Sequence, residues 1–177
     1  MRGRHSTKLF GIGLGRTGSK SLAAAMHILG FRSKHAPKDF NDIHQHDFLS
    51  DIRVSWQFKF LDYVYYNAKF ILTIREIEEW IESNKKWSPG RDGGEAEKGT
   101  PGMLLSRFYC YETCHFEEDV FRAAYYRHQD DVIKHFSTRP DKLLIMNICR
   151  GDGWEKLCPF VGKYIPSVAF PWQHQTR

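Results

Sequence analysis

The chain of 177 residues is predicted to adopt an α/β fold with a mostly parallel sheet, and three observations support this. A short apolar segment at 8–14 leads into a glycine-rich turn, and apolar residues at helical spacing follow at 21–30. Two unbroken apolar segments, 68–74 and 143–149, have the composition of buried strands. Helical segments separate these strands, and strands that alternate with helices pack as a parallel sheet.

The first half of the chain contains further short elements. The first helix is predicted to end at Gly30, and the residues 31–35, FRSKH, are predicted as a second short strand. The polar segment 38–50, rich in His and Asp, is predicted as a loop. Aromatic and aliphatic residues at helical spacing over 54–66 predict a helix before the next buried strand.

The second half alternates in the same way. Residues 77–87 carry acids early and lysines late, which the helix dipole favours. Residues 88–102 contain five glycines and two prolines, so they are predicted as a flexible loop or lid. A long helical pattern covers 103–136, and 151–162 reads as a turn and a short helix. We find no internal repeat, and 1–177 is predicted to form a single domain.

Composition and cysteine usage exclude several classes of protein. Apolar residues make up 41% and charged residues 27%, as in folded globular proteins. No apolar run reaches the roughly 18 residues needed to span a bilayer, and the first residues lack a secretion signal. We therefore expect a cytoplasmic protein without a membrane partner. We expect no metal, because Cys110, Cys114 and His115 do not make up the four convergent ligands of a zinc site.

Positive charge is concentrated near the start of the chain. Residues 1–38 contain eight basic residues and no acidic one, although the whole chain carries only +5. Such a field suits a phosphate-rich small ligand or nucleic acid better than a membrane surface. A basic tail would explain Arg2 and Arg4, but not Arg16 and Lys20, which lie in the glycine-rich turn.

This turn, between a strand and a helix, presents backbone N–H groups that can bind an anion. Gly13, Gly15 and Gly18 match the dinucleotide fingerprint, but the acid required at the end of the second strand is missing. The nucleoside-triphosphate loop requires lysine directly after the last glycine, and Lys20 comes one place late. Magnesium would also require an acid at the end of a buried strand, where Arg75 and other non-acidic residues stand instead.

A third interpretation uses the compact unit 16–21, Arg-Thr-Gly-Ser-Lys-Ser. Such a turn can bind a 5′-phosphosulfate without a metal, because Arg16 and Lys20 supply the positive charge. The alternative is a tight strand-to-helix turn with incidental basic residues. A second motif favours the anion site, since Arg75 follows a buried strand and Ser83 lies eight residues later on the next helix. These two side chains can converge on one phosphate.

Together with GDGWEKLCPFVG at 151–162, these two motifs resemble the P-loop sulfotransferases, and within them a compact branch. The resemblance covers nearly the whole chain. It implies a P-loop-type three-layer fold, with a mostly parallel central sheet flanked by helices. It also implies transfer of a sulfuryl group from 3′-phosphoadenosine 5′-phosphosulfate (PAPS) to a hydroxyl or amine of a small-molecule acceptor. Nucleic acid is not expected as a partner, and the sequence makes no prediction about oligomeric state.

The resemblance also implies roles for individual residues. Arg75 and Ser83 would bind the 3′-phosphate, and the 5′-phosphosulfate would lie against Gly15, Arg16, Thr17, Gly18, Ser19, Lys20 and Ser21. Arg16, which stands where many relatives carry lysine, and Lys20 would stabilise the leaving phosphate. A base is expected near the acceptor. Asp51 is the candidate, although it is equally explained as a helix cap, and His35 is the alternative.

Two other functions remain open at this point. The chain could bind the nucleotide without turnover and act through a partner, or it could be a P-loop nucleotide kinase or NTPase. The aromatic residues Trp56, Phe58, Phe108 and Tyr109 would either line an apolar acceptor pocket or belong to the core.

Overall fold

The computed structural model describes residues 7–87 and 100–172. Within them, five strands form one sheet: β1 Leu9–Gly11, β2 Ser33–His35, β3 Phe48–Ser50, β4 Lys69–Thr73 and β5 Leu143–Met146. The strand order is β2-β3-β1-β4-β5, and every neighbouring pair is parallel. The predicted α/β class with a parallel sheet is confirmed.

Helices connect the strands and cover the sheet. The described residues form α1 Ser19–Ile28, α2 Phe40–Gln45, α3 Ile52–Ser55, α4 Phe58–Val64, α5 Ile77–Trp87, α6 Pro101–Tyr111, α7 Glu118–Phe136 and α8 Trp154–Val161. Short 3-10 turns precede and follow β5, at Pro140–Lys142 and Ile148–Arg150. Among these helices, none is both long enough and apolar enough to cross a membrane.

The core lies on both faces of the sheet, because successive side chains of a strand point to opposite sides. Leu9 of β1 packs in a cluster with residues of α1 and α8. The next residue, Phe10, packs in a second cluster with residues of α4 and α7. Helices therefore cover both faces, which makes the three layers expected from the sequence.

The prediction of a loop over 38–50 is wrong, because this segment contains α2 and β3. Asp39 caps α2, where its Oδ1 accepts from the N–H groups of Asn41 at 2.9 Å and Asp42 at 3.2 Å. All three residues of β3 are buried, and the strand pairs with β1 on one side and β2 on the other. A three-residue strand between polar segments has too few positions to show a periodicity.

Two predicted helices are each divided in two. The pattern over 54–66 spans a turn between α3 and α4, and the pattern over 103–136 spans the end of α6 and the start of α7. Glu112, which follows α6, has a φ of 61°, and this left-handed conformation ends the helix. Residues 88–99 of the predicted lid lie outside the described residues, while its last residues form the first turn of α6.

A buried carboxylate joins α4 to α7 and to the turn before β5. Asp62 on α4 lies 2.8 Å from His135 Nε2, 2.8 Å from Arg139 Nη2 and 2.9 Å from Lys142 Nζ. Burial opposes ionisation of Asp62, but the hydrogen bonds from Arg139, Lys142 and His135 outweigh it and lower its pKa to about 2. This cluster holds one helical layer against the sheet.

Candidate active site

The glycine-rich turn between β1 and α1 is held in place by three neighbouring elements. A Cβ at Gly13 would lie 2.0 Å from Thr73 Oγ1, so only glycine fits this close to β4. The N–H of Gly15 donates to the Tyr111 hydroxyl on α6 at 3.1 Å. The carbonyl of Gly15 accepts from Trp80 Nε1 on α5 at 2.7 Å. The turn is therefore fixed before any ligand binds.

The N-terminus of α1 follows this turn. Gly18, which precedes the helix, has a φ of 100°, a conformation that glycine adopts most readily. The Leu22 N–H donates to the Gly18 carbonyl at 3.0 Å, which starts the regular helical pattern. In any helix the N–H groups before this bond have no carbonyl partner within the helix, and the dipole adds positive potential there. Such a terminus attracts anions.

A cavity of about 440 Å³ lies at this terminus, at the carboxyl ends of the strands, where ligands bind in open α/β sheets. Most predicted site residues line it: Gly15, Arg16, Gly18, Ser19, Lys20, Ser21, His35, Asp51 and Arg75. Parallel strands place their carboxyl ends at one edge of the sheet, which brings residues following β1 to β4 together. Thr17 and Ser83 are not among the residues that line the cavity.

Arg16 connects the two predicted phosphate motifs directly. Its Nε donates to the Oγ of Ser83 at 3.0 Å, and Ser83 is buried on α5. The Arg16 guanidinium also lies over the ring of Trp87, 5.3 Å from its centroid. Although Ser83 does not line the cavity, it orients a cation that does.

Arg75 lies two residues after the end of β4 and also lines the cavity. Its backbone N–H donates to the Tyr125 hydroxyl at 3.0 Å, and this hydroxyl donates in turn to the Arg75 carbonyl. Its Nε lies 3.5 Å from Glu79, which also lies 3.0 Å from Arg150 Nη2. Burial and the nearby Arg75 charge lower the pKa of the Arg16 guanidinium. Because the two cations repel, an anion bound beside both would be strongly favoured.

The Thr17 side chain has a different environment from the rest of its motif. It is buried, and its Oγ1 donates to the Leu14 carbonyl at 2.6 Å and lies 2.7 Å from Thr73 Oγ1. The hydroxyl therefore fixes the turn against β4. Its predicted contact with a ligand stays a prediction.

The two candidate bases lie side by side in the cavity. His35 Nε2 is 3.8 Å from Asp51 Oδ2, and His35 Nδ1 is 3.3 Å from the Oγ of Ser50. Burial lowers the pKa of His35; Asp51 opposes this, while Lys20 and Arg53 add to it. A lowered pKa leaves the imidazole neutral at neutral pH, when it can accept a proton.

Asp51 has a backbone conformation that residues with a side chain rarely adopt. Its φ is 138° and its ψ is 166°, in a region occupied almost only by glycine. Its Oδ1 accepts from the Arg53 N–H at 3.2 Å, so the cap interaction considered from the sequence is present. Backbone strain of this kind concentrates at functional sites. A cap alone does not require it, because Asp39 caps α2 with an ordinary extended backbone.

The position of Asp51 also corrects one argument against a nucleoside-triphosphate enzyme. That argument required that no acid follow a buried strand, and Asp51 directly follows the buried strand β3. The late position of Lys20 remains as an argument. Across residues 7–87 and 100–172, no group of three or more His, Cys, Asp or Glu side chains is placed to hold a metal ion.

Comparison with known families agrees with this geometry. A family model described as a sulfotransferase domain matches residues 34–177, which is most of the chain. The chain belongs to the sulfotransferase family. The predicted family membership is thereby confirmed, while the roles of individual residues stay predictions. The match begins after the glycine-rich turn, so the assignment of that turn rests on its structure. No curated protein matched the chain in a separate search.

Several residues that line this cavity were not predicted as site residues. Glu79 and Trp87 line it, and on α5 they continue, with Ser83, the four-residue spacing that begins at Arg75 before the helix. Because residues four apart lie on one face of a helix, this spacing could have predicted both residues from the sequence. Trp172 also lines the cavity, but it comes from an irregular tail without a local pattern.

Proposed function

We propose that this member of the sulfotransferase family transfers a sulfuryl group from PAPS to a hydroxyl or amine acceptor. The contact between Arg16 Nε and Ser83 Oγ carries the proposal, because it joins the two phosphate motifs, and Arg16 and Arg75 line one cavity. Arg75 and the N-terminus of α1 lie in the same cavity. Positive charge is therefore available for two separate phosphate groups of one nucleotide.

The residues present fit the donor PAPS. The N-terminus of α1, with Arg16 and Lys20, would bind the 5′-phosphosulfate. Arg75 would bind the 3′-phosphate, and Ser83 would hold Arg16 between the two groups. Both bound groups are anions, and they would relieve the repulsion between the two guanidinium groups.

The chemistry follows from in-line displacement at sulfur. The acceptor oxygen or nitrogen forms a bond to sulfur, and the bond from sulfur to the 5′-phosphate oxygen breaks. Negative charge grows on that leaving phosphate, where Arg16 and Lys20 stabilise it. The proton of the acceptor passes to Asp51, with His35 as the alternative base. The products are the sulfated acceptor and 3′-phosphoadenosine 5′-phosphate (PAP).

Calorimetry with PAP, ADP and NAD, without magnesium, tests the nucleotide. PAP should bind at least about tenfold more tightly than ADP, because the 3′-phosphate gains a charge-assisted contact. Arg75→Ala should abolish this preference. Arg127→Ala, at an exposed arginine of α7 that does not line the cavity, should keep it. Equal affinities of wild type for PAP and ADP would refute the role of Arg75.

Transfer from PAPS to a panel of hydroxyl and amine acceptors tests turnover. Asp51→Asn should bind PAP like wild type but transfer about 10² to 10⁴ times more slowly. Unchanged transfer would assign the base to another residue, and His35→Gln is then the next variant. Tight PAP binding without transfer by wild type would indicate a nucleotide-binding protein. Magnesium-dependent hydrolysis of a nucleoside triphosphate would favour the NTPase, for which Asp51 after β3 is the supporting observation.

A further inference from the structure

A second cavity, of about 600 Å³, lies beside the first, and its size is typical of sites for small organic ligands. Most of its wall is apolar. The apolar side chains come from β1 and from helices α2, α3, α4 and α6, together with the residue after α3: Phe10, Ile43, Val54, Trp56, Leu61 and Leu105. A cavity of this composition favours a ligand with an apolar body.

Residues of the same two segments form the wall between the two cavities. His35 lines the first cavity and Pro37 the second, and likewise Asp51 lines the first and Arg53 the second. Arg53 belongs to this wall: its Nη1 donates to the Pro37 carbonyl at 3.0 Å, and its Nε lies 4.0 Å from Asp51 Oδ1. The second cavity therefore borders the side of the first cavity where Asp51 lies.

The polar groups of this wall indicate which atom the ligand presents. Within the described residues, Arg53 Nε and Trp56 Nε1 are buried side-chain N–H groups without a hydrogen-bond partner. Burying such a donor unpaired is unfavourable, and a ligand oxygen would supply the acceptor once the side chain turns toward the cavity. An ammonium group offers only donors, so it cannot accept from these two N–H groups. A sugar would bury many hydroxyls against an apolar wall.

We propose that the second cavity binds the acceptor, and that this acceptor is an apolar alcohol or phenol. This rests on the proposed function: the hydroxyl oxygen would reach past Arg53 into the first cavity and attack sulfur as described above. Trp56, which the sequence suggested for an acceptor pocket, lines this cavity and stacks on Tyr109 with ring centroids 4.5 Å apart. Phe58 instead lies in the core, and Phe108 is exposed.

Binding of 2-naphthol, measured by calorimetry without nucleotide, tests the cavity itself. Leu105→Trp should weaken this binding at least tenfold, because a larger side chain takes up space at a half-exposed lining position. Gly102→Leu should do the same, since a Cβ there meets no atom within 4 Å and the residue lines the cavity. Ile133→Trp, on the exposed surface of α7, is the matched control and should bind 2-naphthol like wild type. Equal affinity in wild type, Leu105→Trp and Gly102→Leu would overturn the proposal.

Transfer from PAPS to 2-naphthol, cyclohexanol, 2-phenylethylamine and glucose tests the acceptor class. The phenol and the alcohol should be sulfated at least tenfold faster than the amine and the sugar, and Leu105→Trp should lose this transfer while binding PAP normally. Faster transfer to the amine or to glucose would overturn the class. If wild type binds no PAP, the proposed function fails. The calorimetry with 2-naphthol still decides whether the second cavity binds an apolar hydroxyl compound.

Discussion

Replacing Asp51 by glycine and by alanine separates the strain at this residue from its chemistry. Alanine retains a Cβ, so Asp51→Ala keeps the strain of the observed φ of 138° and loses the cap on α3. Asp51→Gly relieves the strain and also loses the carboxylate. We therefore expect the glycine variant to be the more stable of the two, although glycine usually destabilises a chain relative to alanine.

The expected difference follows from three contributions. Backbone strain of this kind costs about 1–3 kcal/mol. Losing the cap costs about 1 kcal/mol with alanine, but only a few tenths with glycine. Glycine loses roughly 0.5–1 kcal/mol through its greater freedom in the unfolded chain. The free energy of unfolding of Asp51→Ala should thus be about 1 kcal/mol below that of wild type. That of Asp51→Gly should be about 2 kcal/mol higher than that of Asp51→Ala. For a chain of this size, that gap corresponds to roughly 4–8 °C in Tm.

Thermal and urea unfolding of the two variants measure this gap, and the same proteins can be assayed for PAP binding and transfer. Both should bind PAP like wild type and lose transfer. Asp39 provides the control, because it caps α2 with a φ of −153° and no such strain. Neither Asp39→Gly nor Asp39→Ala should exceed the stability of wild type. If Asp51→Ala proves as stable as Asp51→Gly, the strain at Asp51 is absent and the argument from it fails.

Three further predictions concern the turn and its support. Asp62→Asn should lower the free energy of unfolding by about 3–5 kcal/mol at pH 7, because the Arg139 and Lys142 cations then surround a neutral group. Since the folded pKa of about 2 lies below the usual 3.8, urea unfolding should show this difference shrinking by about 2 kcal/mol from pH 5 toward pH 2. Gly13→Ala should lower stability by about 3 kcal/mol or more, seen as a fall in Tm, because its Cβ would meet Thr73 at 2.0 Å. Ser83→Ala should weaken PAP binding about tenfold in calorimetry, because Arg16 Nε loses its acceptor.

Each of these variants has a matched control. Asp131→Asn removes an exposed ion pair with Lys59 and should cost less than about 1 kcal/mol. Gly102→Ala, in a helix with open space around the new Cβ, should not lower Tm. Ser106→Ala removes another buried helical hydroxyl and should leave PAP affinity unchanged. A loss of stability in Asp62→Asn that does not change with pH would contradict the first prediction. A wild-type Tm for Gly13→Ala would contradict the second. Equal PAP affinities of Ser83→Ala and Ser106→Ala would contradict the third.

The parts of the fold that could be predicted from sequence are those with a local signal. The glycine-rich turn combines a strand, closely spaced glycines and a helix, and β4 shows an unbroken apolar run. Strand β3 has no such signal, because its burial depends on pairing with β1 and β2. Because β3 was not predicted, the sequence did not show that Asp51 follows a buried strand, although Asp51 was named as a candidate base. The same omission led to the argument against nucleoside triphosphates that the structure corrects.

The candidate site divides in the same way. Arg16 and Arg75 could be named because each follows a recognisable strand. The hydrogen bond from Arg16 to Ser83 could not be predicted from the sequence. It depends on the left-handed φ of 69° at Arg16 and on how α5 packs against the turn. The second cavity was also beyond sequence reasoning, because its wall combines residues from five separate elements and the turn after α3.

Helix α6 connects the glycine-rich turn with the second cavity. Tyr111, in its last turn, accepts the hydrogen bond from Gly15 in the glycine-rich turn, while Gly102 and Leu105 near its start line the second cavity. The helix is a rod of about 16 Å, so a displacement at one end is passed to the other. If filling the second cavity moves this rod, nucleotide affinity changes as well. Thermodynamic linkage then requires the nucleotide to change acceptor affinity by the same factor.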